Sequence, residues 1–372
     1  MRIAAVTTWY PGPADPVEGL FVARHVAALR RDHDVRVLHL ASRPAPDEPG
    51  VRHLVVDRRD PRSLLRAARA VARFAAGADL LHTHAFSTLL LVPPARLPAV
   101  AARRVPWLHS EHWSGVSDPV SGGPVWARLA GARRLLDRPD AVTAVSSYLA
   151  GAVRPFRRDD RCHVVPNVVP APAALTAPPG GAGLRLFAVG NLRPVKDPLL
   201  AVATVAELRR RGRDASLRWV GSGPLTAAVR QRAADLAVPL DLLGRLPPEE
   251  FEPEWAGCDV FLLPSQHETF CVAGAEALVH GRPAVLGDRG GTTDFRGPGV
   301  ALVGDRTPAA FADAVERVAA QRTRPDEIAA PVRAAYSADA VADAFAPVLA
   351  ALTGPARPGA TPGSSAPPPP PR

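Results

Sequence analysis

The stretch "PSQHETFCVAGAEALVHGRPAV" (264–285) sets two carboxylates, Glu268 and Glu276, eight positions apart around an alanine-rich segment. On one ideal helix they would stand about 80° apart in azimuth and ~12 Å apart along the axis. That separation does not suit a salt-bridge network but suits two ends of one extended ligand. The plain alternative is a pair of solvated charges at a helix start and on a helix face. Glu268 fits better in the loop before the helix, where free backbone N–H groups collect and attract anions. The helix itself is signalled by Ala273, Ala275, Ala277 and Leu278. Gly281 can take the left-handed cap, and Pro283 blocks continuation. Cys271 lies in the same stretch and reads as a small buried hydrophobe.

Other residues with chemical potential are scattered. Lys196 is the only lysine in the chain. "LLHTH" carries His82 and His84, and "WLHSEHWSG" carries His109, His112 and Trp113. His82 and His84 share a strand face, but no carboxylate or cysteine joins them, so a metal pair is not expected there. Asp32-His33-Asp34 spells a metal-binding pattern but falls in a polar turn between a helix and a strand. No Walker loop, GxSxG elbow or zinc signature is present, and Gly221 and Gly223 do not complete a GxGxxG loop.

The elements that must position these groups alternate. "RIAAVTT", "DVRVLHL", "ADLLHTHA", "VPWLHSEH" and "AVTAVSS" read as strands, separated by helical segments such as "GLFVARHVAALRRD" and "RSLLRAARAVARFAAG". Strand–helix–strand order implies a parallel, doubly wound sheet. The Pro/Ala/Gly-rich stretch 169–183 reads as a linker. After it the rhythm restarts with "LRLFAVGN", "ASLRWVGSG", "LDLLGRL", "DVFLLPS" and "PAVLG". The fold class expected is α/β, with two doubly wound Rossmann-like domains facing across a cleft. Residues 1–168 form the first domain and 184–330 the second; 331–352 is a closing helix, and the Pro-rich 353–372 is a disordered tail. Ligands of such sheets bind at the carboxyl ends of the strands, at the topological switch points.

Composition narrows the classes. The 372 residues suffice for two or three domains, and 47% hydrophobic content with a mean hydropathy near zero describes a soluble globular chain. No apolar run reaches the ~18 residues of a membrane span, and the first residues lack a signal-peptide layout. Three scattered cysteines without a CxxC pair fit a reducing cytoplasm. The excess charge of +9 lies entirely in residues 1–170, where 24 arginines face 15 acids; the 21 basic and 21 acidic residues beyond cancel. Arg62, Arg66, Arg69 and Arg73 recur on one helical face. That face either meets an anionic lipid surface or anionic acceptor, or is a solvated arginine-rich exterior. Nucleic acid is not an expected partner, because no recognition motif or interleaved aromatics accompany the arginines.

The ordered set "VGNLRPVKDP" (189–198), "WVGSGP" (219–224), "LLGRLPPEE" (242–250) and "LLPSQHETFCVAGAEALVHGRPAV" (262–285) resembles the nucleotide-sugar domain of the GT-B glycosyltransferases, specifically the retaining family 4 group. The resemblance covers residues 1–350 and is densest over 184–290. It implies that Glu276 holds the donor ribose. Glu268, with the backbone of Thr269, Phe270 and Cys271, holds the sugar hydroxyls and receives phosphate charge. Lys196 stabilises the departing diphosphate without a metal, and no cofactor is implied. Gly244 and Arg245 fall where the family's backbone meets the nucleobase. Gly19 in "EGLFVARH" matches the first glycine loop, and His112 matches the active-site histidine, with His84 and Trp113 on the acceptor side.

One departure stands out. The family's arginine after the glycine is Asn191 here, and Arg193 either takes that role from a shifted position or faces solvent. The implied activity is transfer of a sugar from a nucleoside-diphosphate donor to an acceptor hydroxyl with retention. The acceptor would be a glycan, a lipid-linked species or a small molecule, and the setting cytoplasmic or peripheral at the inner membrane face. A nucleotide-sugar 2-epimerase of the same architecture, or a non-catalytic homologue, remains the alternative.

Overall fold

A computed structural model describes residues 1–13, 15–91, 105–118, 130–181 and 183–354. The Pro-rich tail from 355 onward lies outside the described residues. The first half builds strands β1 (Arg2–Thr7), β2 (Asp34–Ala41), β3 (Val51–Val55), β4 (Leu80–His84), β5 (Trp107–Glu111), β6 (Ala141–Ala144) and β7 (Cys162–Val164). They form one parallel sheet in the order β3-β2-β1-β4-β5-β6-β7, with its switch point between β1 and β4. The second half builds β8 (Gly183–Val189), β9 (Asp214–Val220), β10 (Leu240–Gly244), β11 (Val260–Leu263), β12 (Ala284–Gly287) and β13 (Val300–Val303), ordered β10-β9-β8-β11-β12-β13. Its switch point lies between β8 and β11. Two facing doubly wound sheets are the architecture the alternation predicts.

Local rules explain the helices that matter. Helix α1 (Leu20–Leu29) starts at Gly19, whose φ of 67° is left-handed. A Cβ on Gly19 would stand 2.3 Å from the Trp9 carbonyl carbon, so only glycine lets the chain turn there. Helix α2 (Pro61–Ala75) is capped by Asp60, whose carboxylate accepts from the N–H groups of Arg62 and Ser63. Ala67, Ala68, Val71, Ala72 and Ala75 are buried, and Arg62, Arg66, Arg69 and Arg73 are exposed. Helices α3 (Ser147–Val153), α4 (Pro198–Arg210) and α5 (Thr226–Asp235) follow the same logic, α4 with an Asp197 cap and Pro198 at its first position.

Helix α6 (Val272–Val279) is short, begins after Cys271 and ends before Gly281 at φ 71°. Glu268 therefore precedes the helix and Glu276 rides on it, which is the arrangement the sequence suggests. Helices α7 (Pro308–Gln321), α8 (Pro325–Tyr336) and α9 (Ala338–Thr353) close the chain. Ser337 between α8 and α9 is extended (φ −62°, ψ 159°) and breaks what would otherwise be one long apolar helix. The two helices part company there. α8 packs on α6 in the second half, whereas α9 crosses back onto α1 of the first. There Val341, Phe345, Val348 and Leu349 join Val22, Val26 and Leu29 in one core. The chain thus crosses between its halves twice, once through 165–182 and once at Ser337, and the Val169 N–H donates to the Tyr336 carbonyl at 2.8 Å where the crossings meet.

Candidate active site in the interdomain cleft

The carboxyl ends of both sheets open into one cleft of about 1230 Å³. That exceeds the usual 300–1,000 Å³ of small-ligand sites, as an extended ligand of several groups would need. Glu268, Thr269, Phe270, Cys271 and Glu276 all line it, facing His112 and the segment around Gly19 from the first half.

The second-domain wall is anchored on a half-buried ion pair. Lys196 Nζ lies 2.5 Å from Glu268 Oε1, and the Ser265 hydroxyl donates to the same oxygen at 2.6 Å. Burial acts to lower the Lys196 pKa, but the Glu268 carboxylate outweighs it and the net shift is upward, so the ammonium stays charged. The loop carrying Glu268 is clamped from behind. A Cβ on Gly290 would sit 2.1 Å from the Glu268 carbonyl oxygen, so the backbones touch only because Gly290 has none. Among the described residues the N–H groups of Thr269, Phe270 and Cys271 find no hydrogen-bond partner, which leaves an anion-receptive turn before α6. Burial pushes the Cys271 thiol well up, so it stays neutral.

Glu276 is half-buried, and its desolvation raises its pKa; Arg24 of α1 offsets part of the rise, with Nη1 at 3.2 Å from Oε1. This ion pair crosses the cleft. So do Arg245 to Asp15 at 2.5 Å, the Ser147 N–H to Asp294 at 2.7 Å and Ser117 to His267 at 3.1 Å. The two halves are closed on each other.

On the first-domain wall, β5 ends in a buried carboxylate that sequence reading passed over. Glu111 Oε1 accepts from the backbone N–H groups of Phe86, His112 and Trp113, and Oε2 contacts His109 Nε2 at 3.1 Å. Those three N–H bonds pin the turn that delivers His112 to the cleft. A charged residue ending an otherwise apolar strand was the available signal. Arg24 and Asp15 gave none, because their partners are more than two hundred residues away.

Several residues do not stand where the family pattern would put them. Arg193 is exposed and outside the cleft lining, while Asn191 lines it. Arg193 sits in extended backbone before a single helical turn, which aims its side chain outward and leaves Lys196 without it. His84 is fully buried and lies behind His112, at 3.3 Å from Nδ1 to Nε2, rather than on the cleft surface. Trp113 stacks on Phe86 with ring centroids 6.2 Å apart instead of lining the cleft. Gly244 pairs with Gly221 at the end of β10, and it is the next residue, Arg245, that reaches the cleft.

Comparison with known proteins agrees with this geometry. Residues 183–321 match the model "Glycosyl transferases group 1", and residues 20–171 match "Glycosyltransferase Family 4". A GDP-mannose-dependent alpha-(1-6)-phosphatidylinositol dimannoside mannosyltransferase of Mycobacterium tuberculosis is 29% identical over 194 residues, 52% of this chain and 48% of the relative. A D-inositol 3-phosphate glycosyltransferase of Nocardia farcinica is 27% identical over 251 residues, 59% of this chain and 55% of the relative. The chain spans about half the length of the curated relatives it matches. In fold it is similar to sucrose-phosphate synthase of Thermosynechococcus elongatus, with a TM-score of 0.75, 19% identity and coverage of 95% and 99% of the two chains. Anabaena HepE, solved with UDP and glucose, is equally similar at a TM-score of 0.75, 18% identity and coverage of 95% and 100%. Two models in chain order, matched over both sheets of a GT-B fold, settle the affiliation: the chain belongs to the group 1, family 4 glycosyltransferases.

Proposed function

We propose that the protein transfers a glycosyl residue from a nucleoside-diphosphate sugar to an acceptor hydroxyl, with retention of anomeric configuration. The observation that carries this is the convergence of Lys196, Glu268 and Glu276 on one wall of the cleft opposite His112. Glu276 accepts the two ribose hydroxyls. The open N–H groups at Thr269 to Cys271 and the Lys196 ammonium receive the diphosphate, whose leaving-group charge they stabilise as fixed dipoles and a fixed cation. That assignment asks for no metal at the diphosphate. Glu268, held by Lys196 and Ser265 through one oxygen, keeps the other for the sugar hydroxyls. His112, held neutral by burial, offers a nitrogen to the transferred sugar or the acceptor.

A nucleotide sugar is also what the solved relative HepE holds in its complex with UDP-glucose. Two relatives are named for phosphorylated inositol acceptors, one of them lipid-borne. The acceptor side of the cleft, lined by Tyr10, His39, Arg43 and Arg58, suits a hydroxylated acceptor carrying negative charge, either soluble or lipid-linked. In the lipid-linked case the exposed arginine face of α2 rests on the inner membrane surface, and the enzyme works from the cytoplasm. The test is a panel of UDP-, GDP- and ADP-sugars assayed for nucleotide release with and without acceptor. Acceptor-dependent release supports the reading; a free epimerised sugar, or no binding of any nucleotide sugar, overturns it.

A further inference from the structure

Behind the cleft wall lies a group of side chains that glycosyl transfer does not explain. His25 of α1, His84 of β4 and His112 after β5 are all buried, and one nitrogen of each lies within 4.8 Å of one nitrogen of each of the others. Aromatic rings enclose them, Phe345 of α9 against His25 and Phe21 of α1 against His112. Of the nitrogens that face one another here, His25 Nδ1 is buried without a hydrogen-bond partner among the described residues, and His84 Nδ1 and His112 Nε2 meet only each other. An unpaired buried polar atom costs on the order of 1–3 kcal/mol, so the bare His25 Nδ1 beside two facing imidazole nitrogens needs an explanation.

We propose that His25, His84 and His112 form a binding site for a borderline transition-metal cation of the zinc class. Three neutral imidazoles without a carboxylate or thiolate are a ligand set for such an ion, and three protein ligands leave one position open. The His25 Nε2 stands 2.8 Å from the Pro166 carbonyl. Donation there fixes the tautomer with a bare lone pair on Nδ1, the arrangement by which metal-binding histidines are usually oriented. His84 Nδ1 and His112 Nε2 are 3.3 Å apart, long for a hydrogen bond between them. It matches the separation of about 3.3 Å that two nitrogens keep on one tetrahedral zinc at Zn–N of roughly 2.0–2.1 Å. Burial also keeps all three rings neutral and free to ligate. His82 packs its ring on that of His84, with centroids 4.0 Å apart, but its Nε2 is taken by the Ser110 hydroxyl at 2.8 Å. The ion enters from the cleft, which His112 lines. Once bound, it withdraws the His112 imidazole from the reacting groups, so the occupied site is inhibitory; this second clause rests on the glycosyl-transfer reading.

The full chain, stripped with a chelator, is titrated with cobalt(II) alone. The expected result is one equivalent bound with the visible bands of four-coordinate cobalt, displaced by zinc. His25→Ala and His84→Ala each weaken binding at least about 100-fold, whereas His82→Ala, a neighbour outside the set, changes it less than about threefold. A wild-type protein that gives no such bands, or variants that bind like wild type, overturn the site. In the transfer assay, zinc at the same occupancy lowers wild-type turnover at least about tenfold and spares His25→Ala. Undiminished turnover of the zinc-loaded wild type overturns the inhibitory clause. The cobalt titration contains neither donor nor acceptor, so its failure leaves the glycosyl-transfer proposal standing, and a failure of transfer leaves the site standing.

Discussion

Replacing Glu276 with alanine tests the donor assignment most directly, and the structure sets the size of the effect. The carboxylate is half-buried, with one oxygen engaged by Arg24 and no hydrogen bond to the other among the described residues. Two ribose hydroxyls binding there make two charge-assisted hydrogen bonds, roughly 1.5–3 kcal/mol each. The Arg24 contact weakens as the ribose takes its place, which offsets part of that gain. A net loss of about 3 kcal/mol follows for Glu276→Ala, or about a hundredfold in affinity at ~1.4 kcal/mol per decade. The assay is calorimetric titration with the nucleoside diphosphate alone, which removes sugar and acceptor from the comparison. Thermal melting of the free variant guards against a folding defect, since alanine suits the middle of α6. A folded variant whose affinity stays within about threefold of wild type refutes the ribose assignment and, with it, the reading of α6 as the donor helix.

The remaining expectations can be checked on the same preparation. Lys196→Ala lowers kcat about 100- to 1,000-fold in a transfer assay, the loss usual for a preorganised charge-stabilising group, while Arg193→Ala stays within about twofold because its side chain is outside the cleft. Equal losses in the two variants would contradict that placement. Gly19→Ala forces a side chain into left-handed backbone 2.3 Å from Trp9, and Tm falls by roughly 3–8 °C in a thermal melt. Burial, reinforced by His53, lowers the His39 pKa to about 4. Because the unfolded chain takes up that proton near pH 6.5 and the folded one does not, this histidine's contribution is intact above pH 6.5. It is lost at up to about 1.4 kcal/mol per pH unit as pH falls toward 4. His39→Gln should flatten the urea-measured stability profile across that window, and an unchanged slope would refute it.

Much of this was legible before any coordinates. The α/β rhythm, its restart after the linker, and the placement of Glu268 before a helix that carries Glu276 follow from spacing and from the signals of Gly281 and Pro283. The edge strands β3, β7 and β13 were missed because they are short and only partly buried, so they lack the continuous apolar run that marks a central parallel strand. Arg193 illustrates a different limit. Sequence gives its distance from Lys196 along the chain, but an extended residue before a single turn sends the two side chains apart. The histidines illustrate a third. His82 and His84 are neighbours in sequence, yet the structure separates their roles and joins His84 to His25 and His112, residues brought together only by the register of β4 with β5 and the packing of α1.

The double crossing of the chain bears on how substrates enter. A single linker would let the halves tumble about any axis. Here two strands of chain pass between them and are stitched together by the Val169 to Tyr336 hydrogen bond. Such a junction acts as a door hinge with two pins, leaving one easy rotation and resisting twist and slide. Because α8 runs from that hinge to α6, opening the door swings Glu276 away from Arg24 as a rigid lever rather than by local fraying. On the proposed donor reading, entry and exit of the nucleotide sugar follow that one coordinate, which a distance probe spanning residues 24 and 276 would read directly.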